Sequence, residues 1–329
     1  MKIKCPFCNS ESFKVHQRNG HTCNTIYRCL DCDRCFSERR FSGYSGLKLA
    51  PEKIVQIVNC LVEGISIRAI TRLLDVEKKT VIRVMRRAAE LCQQVMDAKL
   101  RNLRLRYLEA DELWCFTAKK EQNCTVEEKS GGHHVGDTWV FLVTDAETKL
   151  VPTFVVSPDR GLPAAQRLMT DLAERLATRP QITTDGLRSY LWGVERAFGA
   201  DVDYGMLIKS YAEEDGRLVL TGARPKPISG RPDPWHISTS YAERNNLNCR
   251  TFMRRLTRLT NAFSKRVENL VAALWLYFAH YNFVRVHGSL RVTPAMAAGV
   301  TNHIWSIEEM LTSGAEFQVA CFWLFVVFT

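Results

Sequence analysis

Apolar positions in the first hundred residues recur at helical spacing. Ile54, Val55, Val58, Leu61 and Val62 mark one face of a helix that Pro51 is placed to open and Gly64 to end. Ser66 can cap a short second helix burying Ile67, Ile70 and Leu74. After Asp75-Val76-Glu77 a third helix is predicted from about Lys78 to Cys92, with Val81, Val84, Met85 and Ala88 inward. Thr80, Arg83 and Arg87 form its opposite stripe, and Lys78 and Lys79 stand at its start. Three short helices with a tight turn before a basic last one fit a helix-turn-helix, whose last helix enters the major groove. Lys78, Lys79, Thr80, Arg83 and Arg87 are then the side chains expected to reach phosphates and base edges. The same pattern also suits any small three-helix unit.

The periodicity changes near Arg106. Tyr107–Phe116 reads as a strand, and Thr138–Asp145 and Leu150–Val156 as a hairpin around Ala146-Glu147-Thr148. An amphipathic helix over Pro163–Thr178 precedes a short strand, Gln181–Thr184, that ends at Asp185-Gly186. A helix over Arg188–Phe198 and a strand over Asp203–Ser210 follow. Residues 211–237, rich in Gly and Pro, predict a loop insertion holding at most a small hairpin at Arg217–Leu220. A long helix beginning near Ser238 carries Tyr241 and Glu243, and another covers roughly Ser264–Tyr281. Three strands followed by alternating helices and strands imply one mixed sheet with helices on both faces. Val271, Leu274, Trp275, Phe278 and Phe283 read as core, and His133-His134, in a Gly-rich loop, as surface.

Composition changes the picture through charge. The 329 residues carry a formal net charge of +10. Residues 1–105 hold 20 Lys+Arg against 10 Asp+Glu, whereas residues 106–329 hold 25 of each, so the whole excess sits in the first third. A basic front on a neutral body points to a polyanion, most often nucleic acid, and favours the DNA-binding reading of the three helices. Hydrophobic content of 46% and charged content of 24% exclude a disordered, collagenous or coiled-coil chain. The longest apolar run, Val319–Phe328, is too short to span a bilayer, and Met1-Lys2-Ile3-Lys4-Cys5 lacks a signal-peptide core. The expectation is a cytoplasmic, nucleoid-associated protein whose cysteines are thiols or metal ligands.

Four of the 12 cysteines have ligand spacing. Cys5-Pro-Phe-Cys8 and Cys29-Leu-Asp-Cys32 are two Cys-x-x-Cys turns separated by 20 residues, able to close a structural Zn²⁺ site of four thiolates. Cys35 competes with Cys32 for the last position; Cys32 is preferred because Cys35 leads into Phe36 and a basic patch, Arg39 and Arg40. Phe7, Phe13, Ile26, Tyr27 and Phe36 are the expected satellite core. A segment this small would take much of its folding free energy from the metal.

Three acids occupy informative places: Asp111 within the first strand of the sheet, Asp185 just past Thr184, and Glu243 on the late helix. Carboxylates from two adjacent strands and a helix can hold two hard divalent ions for in-line phosphodiester attack. With 35 acids in the chain, such a triple also arises by chance. Glu112, Asp145 and Asp137 are nearby competitors, although Glu112 should project from the opposite face of its strand to Asp111.

Leu108-Glu109-Ala110-Asp111-Glu112-Leu113-Trp114, Thr183-Thr184-Asp185-Gly186 and Ser240-Tyr241-Ala242-Glu243-Arg244-Asn245-Asn246 together resemble the three acid motifs of bacterial DDE transposases. The likeness is strongest to the insertion-sequence-one family and its relatives. Tyr281-Asn282-Phe283-x-Arg285-x-His287-x-Ser289-Leu290 and Thr293-Pro294 resemble the tail of the integrase-like core, and the likeness covers about residues 5–300. It implies a multidomain α/β protein: a zinc ribbon over 1–45, a helix-turn-helix over 46–104, a ribonuclease H-like catalytic domain over 105–298 and a tail of unassigned role over 299–329. It further implies Mg²⁺ or Mn²⁺ bound by Asp111, Asp185 and Glu243, and an enzyme that cuts an insertion sequence at its ends and joins them to target DNA. The wide separation of Asp185 and Glu243 leaves Glu213 and Glu214 as rivals for the third acid, without a helical pattern around them.

Residues 244–291 add nine Lys/Arg against one acid, Glu268, and make Arg250, Arg254 and Arg258 candidate DNA-backbone contacts. His236 and Tyr241 are candidates either for orienting a strand or for packing. The expected partners are the element's terminal inverted repeats, target DNA and a second copy of the chain, because transposition holds two ends together. The rival expectation is a DNA-binding regulator whose nuclease-like domain is only a scaffold.

Overall fold

The structure, a computed structural model, describes residues 3–314 except 21, 23, 215, 258 and 259. Arg258 and the apolar run 319–328 therefore lie outside the described residues. The chain forms two compact units, one of residues 1–98, 272–280 and 305 onward, the other of residues 99–271 and 281–304. It is a mixed α/β protein.

The first unit begins with a three-stranded antiparallel sheet, β1 (Phe13–Asn19), β2 (Asn24–Cys29) and β3 (Cys35–Ser37). Phe13, Tyr27 and Phe36 meet edge-on and tilted, with ring centroids 5.0 to 5.7 Å apart, and pack against Cys5 and Cys29. Phe7, expected in that core, is instead 40% exposed and lies under Arg34 and Arg40, at 5.0 and 5.1 Å from its centroid. Arg39, expected on a basic surface, is buried, and its guanidinium donates to the carbonyls of Leu49 (2.6 Å) and Thr22. A cation can sit inside when each side of its planar fork meets a carbonyl.

Helix α1 (Pro51–Val62), α2 (Ile67–Leu74) and α3 (Lys78–Lys99) follow. Ser66 caps α2 by accepting from the Ala69 N–H at 3.2 Å. Gly64 (φ 73°) and Asp75 (φ 46°) supply the left-handed turns that end α1 and α2. The inward stripe Val81, Val84, Met85 and Ala88 is buried as the spacing predicts. It continues through Leu91, Cys92, Val95 and Met96, so α3 runs a further seven residues beyond Cys92.

The second unit is built on a six-stranded mixed sheet. β4 (Tyr107–Thr117), β5 (Gly136–Asp145) and β6 (Phe154–Ser157) form an antiparallel meander, with a short α4 (Val126–Ser130) between the first two. After α5 (Leu162–Arg175), β7 (Gln181–Thr184) lies parallel to β4; after α6 (Ser189–Phe198), β8 (Asp203–Glu214) lies parallel to β7. The order is β6-β5-β4-β7-β8-β9, and the last strand, β9 (Arg217–Ser229), closes a long hairpin with β8. The loop expected over residues 211–237 is thus mostly sheet. β9 tolerates Pro225 and Pro227 because it is an edge strand, whose outer side needs no ladder donors. Helices α7 (Ser240–Phe252), α8 (Val267–Phe283) and α9 (Pro294–Ala297) complete the chain order. A further helix covers residues 307–314. Leu274, Phe278 and Phe283 are buried as expected for core. No helix among the described residues is long and apolar enough to cross a membrane.

Candidate metal centres and acid cluster

The four predicted thiols converge. The Sγ atoms of Cys5, Cys8, Cys29 and Cys32 lie within 4.8 Å of one another, Cys5 to Cys32 at 3.6 Å and Cys8 to Cys29 at 3.5 Å. Both turns have one construction: the residue after the second cysteine, Asn9 (φ 61°) or Asp33 (φ 58°), is left-handed, and the first cysteine's N–H closes the loop on Ser10 or Arg34. Asn and Asp are the non-glycine residues that adopt this conformation at least cost. Asp33 is also held by both ends of the Arg28 fork, at 2.6 and 2.5 Å. Burial works against the Cys29 thiolate, but backbone N–H groups of Cys32 and Asp31 outweigh it and bring the thiol down to about 7. Four sulfurs without a competing cation are a donor set suited to zinc in a closed site. Cys35 is exposed on β3 and is not in the cluster.

In the second unit, β4 carries acids on both faces. Glu109 and Asp111, two residues apart, face α7; Glu112 faces the side of α6. Glu109 is 2% exposed, and its Oε2 accepts from the N–H groups of Tyr241 (2.7 Å) and Ala242 (2.9 Å) in the first turn of α7. A carboxylate there satisfies two orphan donors and meets the positive end of the helix dipole. It pins α7 to the strand that holds Asp111. Further along α7, Asn245 donates to Thr144 (3.0 Å) and Asn246 donates to Asp111 Oδ2 (2.7 Å).

Asp185 stands one step past the last β4–β7 pair, Ala110 and Thr184, and therefore beside Asp111. Its Oδ1 accepts from the Leu187 N–H at 2.9 Å, which closes the turn after β7. Asp111, Asp185 and Glu112 each place a carboxylate oxygen within 4.8 Å of the other two, a group of donors that could hold a divalent cation. Glu112's own contacts lie on the face opposite to Asn246: Arg160 donates Nε and Nη2 to its Oε2 at 2.9 and 2.7 Å, and Arg160 Nη2 also reaches Asp185 at 3.1 Å. Face alternation held, yet the carboxylates still meet around the strand. The buried Tyr190 hydroxyl, from α6, hydrogen-bonds the Glu112 carboxylate as well.

Glu243 does not join the three-oxygen cluster. It is ion-paired with Lys209 of β8 and accepts from the Thr239 hydroxyl at 2.6 Å. Burial pushes its carboxyl up, but Lys209 and Thr239 outweigh that and hold it below its ordinary value. Glu213 and Glu214 stand at the far end of β8, next to the turn where Glu214 pairs with Arg217. Lys209, which meets Glu243, is five residues back, about 16 Å at strand rise. Asp145 is used by the turn at Thr148, whose N–H and hydroxyl donate to it at 2.7 and 2.6 Å. Asp137 accepts from the Glu121 N–H at the exposed end of β5.

The remaining sequence candidates divide. Lys78, Lys79 and Arg83 are exposed on α3, Thr80 is half-buried, and Arg87 is half-buried and paired with Glu90 at 3.0 Å. Arg254 is exposed, as are Arg244, Lys265, Arg266 and Arg291. Arg250 instead donates to the carbonyls of Leu256 and Trp114, both at 3.1 Å, and ties the end of α7 to β4. His236 stacks on Tyr107 (3.8 Å, 7° between planes), four residues before Asp111, and bonds to Asp233 at 2.8 Å. His134 bonds the Asp137 carbonyl and the Thr138 hydroxyl. The Lys149 ammonium lies 3.2 Å from the Tyr241 ring centroid.

Charge crowding sets a pH dependence. Burial, then the charges of Glu112, Asp185 and Glu243, push Asp111 up to about 7; burial pushes Glu109 up to about 7 as well, against the pull of its two N–H donors. In the unfolded chain Asp111 releases its proton near 3.8, so between there and about 7 the folded state binds more protons. Stability of the metal-free protein therefore falls as pH rises through that window. The Tm of metal-free wild type should drop from pH 5 to pH 8, and Asp111→Asn should flatten that drop. Equal slopes in wild type and variant would refute this account.

No protein-family model matches the chain, and no curated protein matches it.

Proposed function

We propose that this chain is a DDE-type DNA transposase that cleaves and transfers DNA strands with the help of divalent metal ions. The observation that carries the reading is the meeting of Asp111 and Asp185 at the β4–β7 junction, with Glu243 on a helix pinned to the same strand by Glu109. A meander of three antiparallel strands followed by two strands parallel to the first supports a ribonuclease H-like domain.

Asp111 and Asp185 are the proposed ligands of a first ion, Mg²⁺ or Mn²⁺, and Glu243 contributes from the helix side. Bound ions of this kind lower the pKa of a water or 3′-hydroxyl and stabilise the leaving oxygen. The chain's own residues prepare the site. Asn246 fixes the Asp111 rotamer, and Asp185 is oriented by the turn it closes. Arg160 and Lys209 offset acid charge. Exposed Arg244, Arg254, Lys265 and Arg266, which follow Glu243 in the chain, suit the phosphates of a strand lying across it. The thiol cluster reads as a zinc ribbon and α1–α3 as a helix-turn-helix; both suit recognition of terminal repeats by a homo-oligomer.

The test is a strand-joining assay with full-length protein, Mn²⁺, a plasmid target and DNA carrying the sequences that flank the gene. Joined products that retain the donor 3′ end are expected. Protein that binds those ends but never nicks or joins them would instead favour the DNA-binding regulator.

A further inference from the structure

We infer that Lys149, Arg244, His287 and Arg285 form a row along one flank of α7 that binds the phosphates of a DNA strand without reading its bases. The inference rests on the DNA-processing reading above and deepens it with a second contact surface, on the flank of α7 turned away from Asp111.

The helix itself separates the two flanks. Glu243, Asn246 and Arg250 share the stripe that bonds to Lys209, Asp111 and the Trp114 carbonyl. Tyr241, Arg244, Asn248 and Phe252 share another, on the far side of the buried Ala242, Asn245 and Cys249. A cation stands over the aromatic ring at each end of this second stripe. Lys149 Nζ lies 3.2 Å from the Tyr241 centroid, and the Arg285 guanidinium 3.6 Å from that of Phe252. The stretch of helix from Tyr241 to Phe252 is about 16 Å long.

The motif that begins at Tyr281 builds the row. The Tyr281 hydroxyl donates to the Lys149 carbonyl at 3.1 Å, and Asn282 accepts from the Val151 N–H and donates to its carbonyl, at 3.0 and 2.9 Å. Two consecutive side chains of α8 thus fasten the β5–β6 connection, and Lys149 with it, beside the segment that supplies Arg285 and His287. The His287 ring stands edge-on to Tyr281, and its Nδ1 meets the Ser289 hydroxyl at 3.0 Å. Burial, then the charges of Lys149, Arg244 and Arg285, hold this imidazole below its ordinary value, so the three cations surround it.

What the row lacks is an acid. Among the described residues, Lys149, Arg244 and Arg285 have no ion-pair partner. Glu109 and Asp145 feel the Lys149 charge but are spent on the first turn of α7 and on Thr148. Arg285 Nη1 is buried without a hydrogen-bond partner. Like charges gathered without a counter-ion repel, and a phosphate backbone supplies the missing charge. An extended row, not a pocket, suits a polymer of phosphates better than a single anion.

Salt-dependent binding of the full-length protein to two duplexes tests this, one duplex carrying sequences that flank the gene and the other unrelated. Lys149→Gln/Arg244→Gln should reduce the slope of log affinity against log salt by about 2 on both duplexes. Lys120→Gln/Arg167→Gln, which removes two exposed charges elsewhere in the same unit, should keep the wild-type slope. Lys149→Arg/Arg244→Lys should keep it too, so that lost packing at these positions cannot pass for lost phosphate contacts. An unchanged slope in Lys149→Gln/Arg244→Gln overturns the inference, as does an equal fall in either control. A fall confined to the flanking-sequence duplex would assign base readout and overturn it as well. The expected fall in a protein that never joins DNA would keep the row and remove the transposase reading; joining with an unchanged slope would do the reverse.

Discussion

Asp185→Asn should abolish strand cleavage and joining while leaving DNA-end binding unchanged. The substitution is isosteric, and the amide oxygen can still accept from the Leu187 N–H, so the turn after β7 persists. What disappears is an anionic donor in a cluster whose other members, Asp111 and Glu112, lie within 4.8 Å. The new amide N–H₂ also faces the Arg160 guanidinium where a carboxylate oxygen stood, so that donor loses one of its acceptors. Charge stabilisation by a bound ion is worth several kcal/mol in the transition state, so the expected loss is about 10³-fold or more. A gel-shift titration and a joining assay on the same preparation measure both arms. Joining at the wild-type rate would remove Asp185 from the chemistry.

Cys29→Ser should have the largest structural effect. The described thiol cluster gathers four donors over a three-stranded sheet whose apolar interior is little more than Phe13, Tyr27, Phe36 and three of the cysteines. Such an interior cannot offset the entropy of ordering some forty residues. A structural zinc ion in a domain of this size contributes about 10–16 kcal/mol of apparent binding free energy, most of it coupled to folding. Bound zinc, read by metal analysis, should fall from about one equivalent per chain to near zero. Proteolysis should then cut within the first 45 residues, and end binding should be lost with it. Cys35→Ser, at an exposed thiol outside the cluster, should retain zinc and resist cleavage. Loss of zinc in Cys35→Ser with retention in Cys29→Ser would reverse the ligand assignment.

These residues also mark what a sequence conveys and what it does not. The thiol cluster was legible because a Cys-x-x-Cys turn is a local object: both halves of the ligand set are fixed within four residues. The α1–α3 stripes were legible for the same reason, since their period repeats wherever the helix continues. Asp111 and Asp185 were paired through the resemblance of their motifs to those of DDE transposases, because spacing alone does not single them out among 35 acids. Glu112 was set aside because side-chain alternation describes where a chain leaves the strand, not where a long carboxylate ends. The β8–β9 hairpin was missed because Pro225, Pro227 and Gly222 outweighed a signal already present, Asp215-Gly216 between two strand-forming runs. Arg39 and Arg250, expected at a basic surface and at a DNA backbone, have partners of another kind, and for His236 the packing alternative is the one the stack on Tyr107 matches. Each bonds or stacks with a residue distant in sequence, and only the folded chain supplies that partner.

The Arg39 contact to Leu49 has a mechanical consequence. Leu49 stands two residues ahead of α1, and its carbonyl is fastened to Arg39, a buried cation of the preceding module. A fastened stretch cannot lengthen to follow a variable target. If the thiol module and the three helices both grip one duplex, they act as a fixed-span caliper, and the two blocks of base pairs they touch must stand at one interval. Inserting a single base pair between those blocks would turn one away by about a tenth of a helical revolution, and the protein would have no slack to follow it.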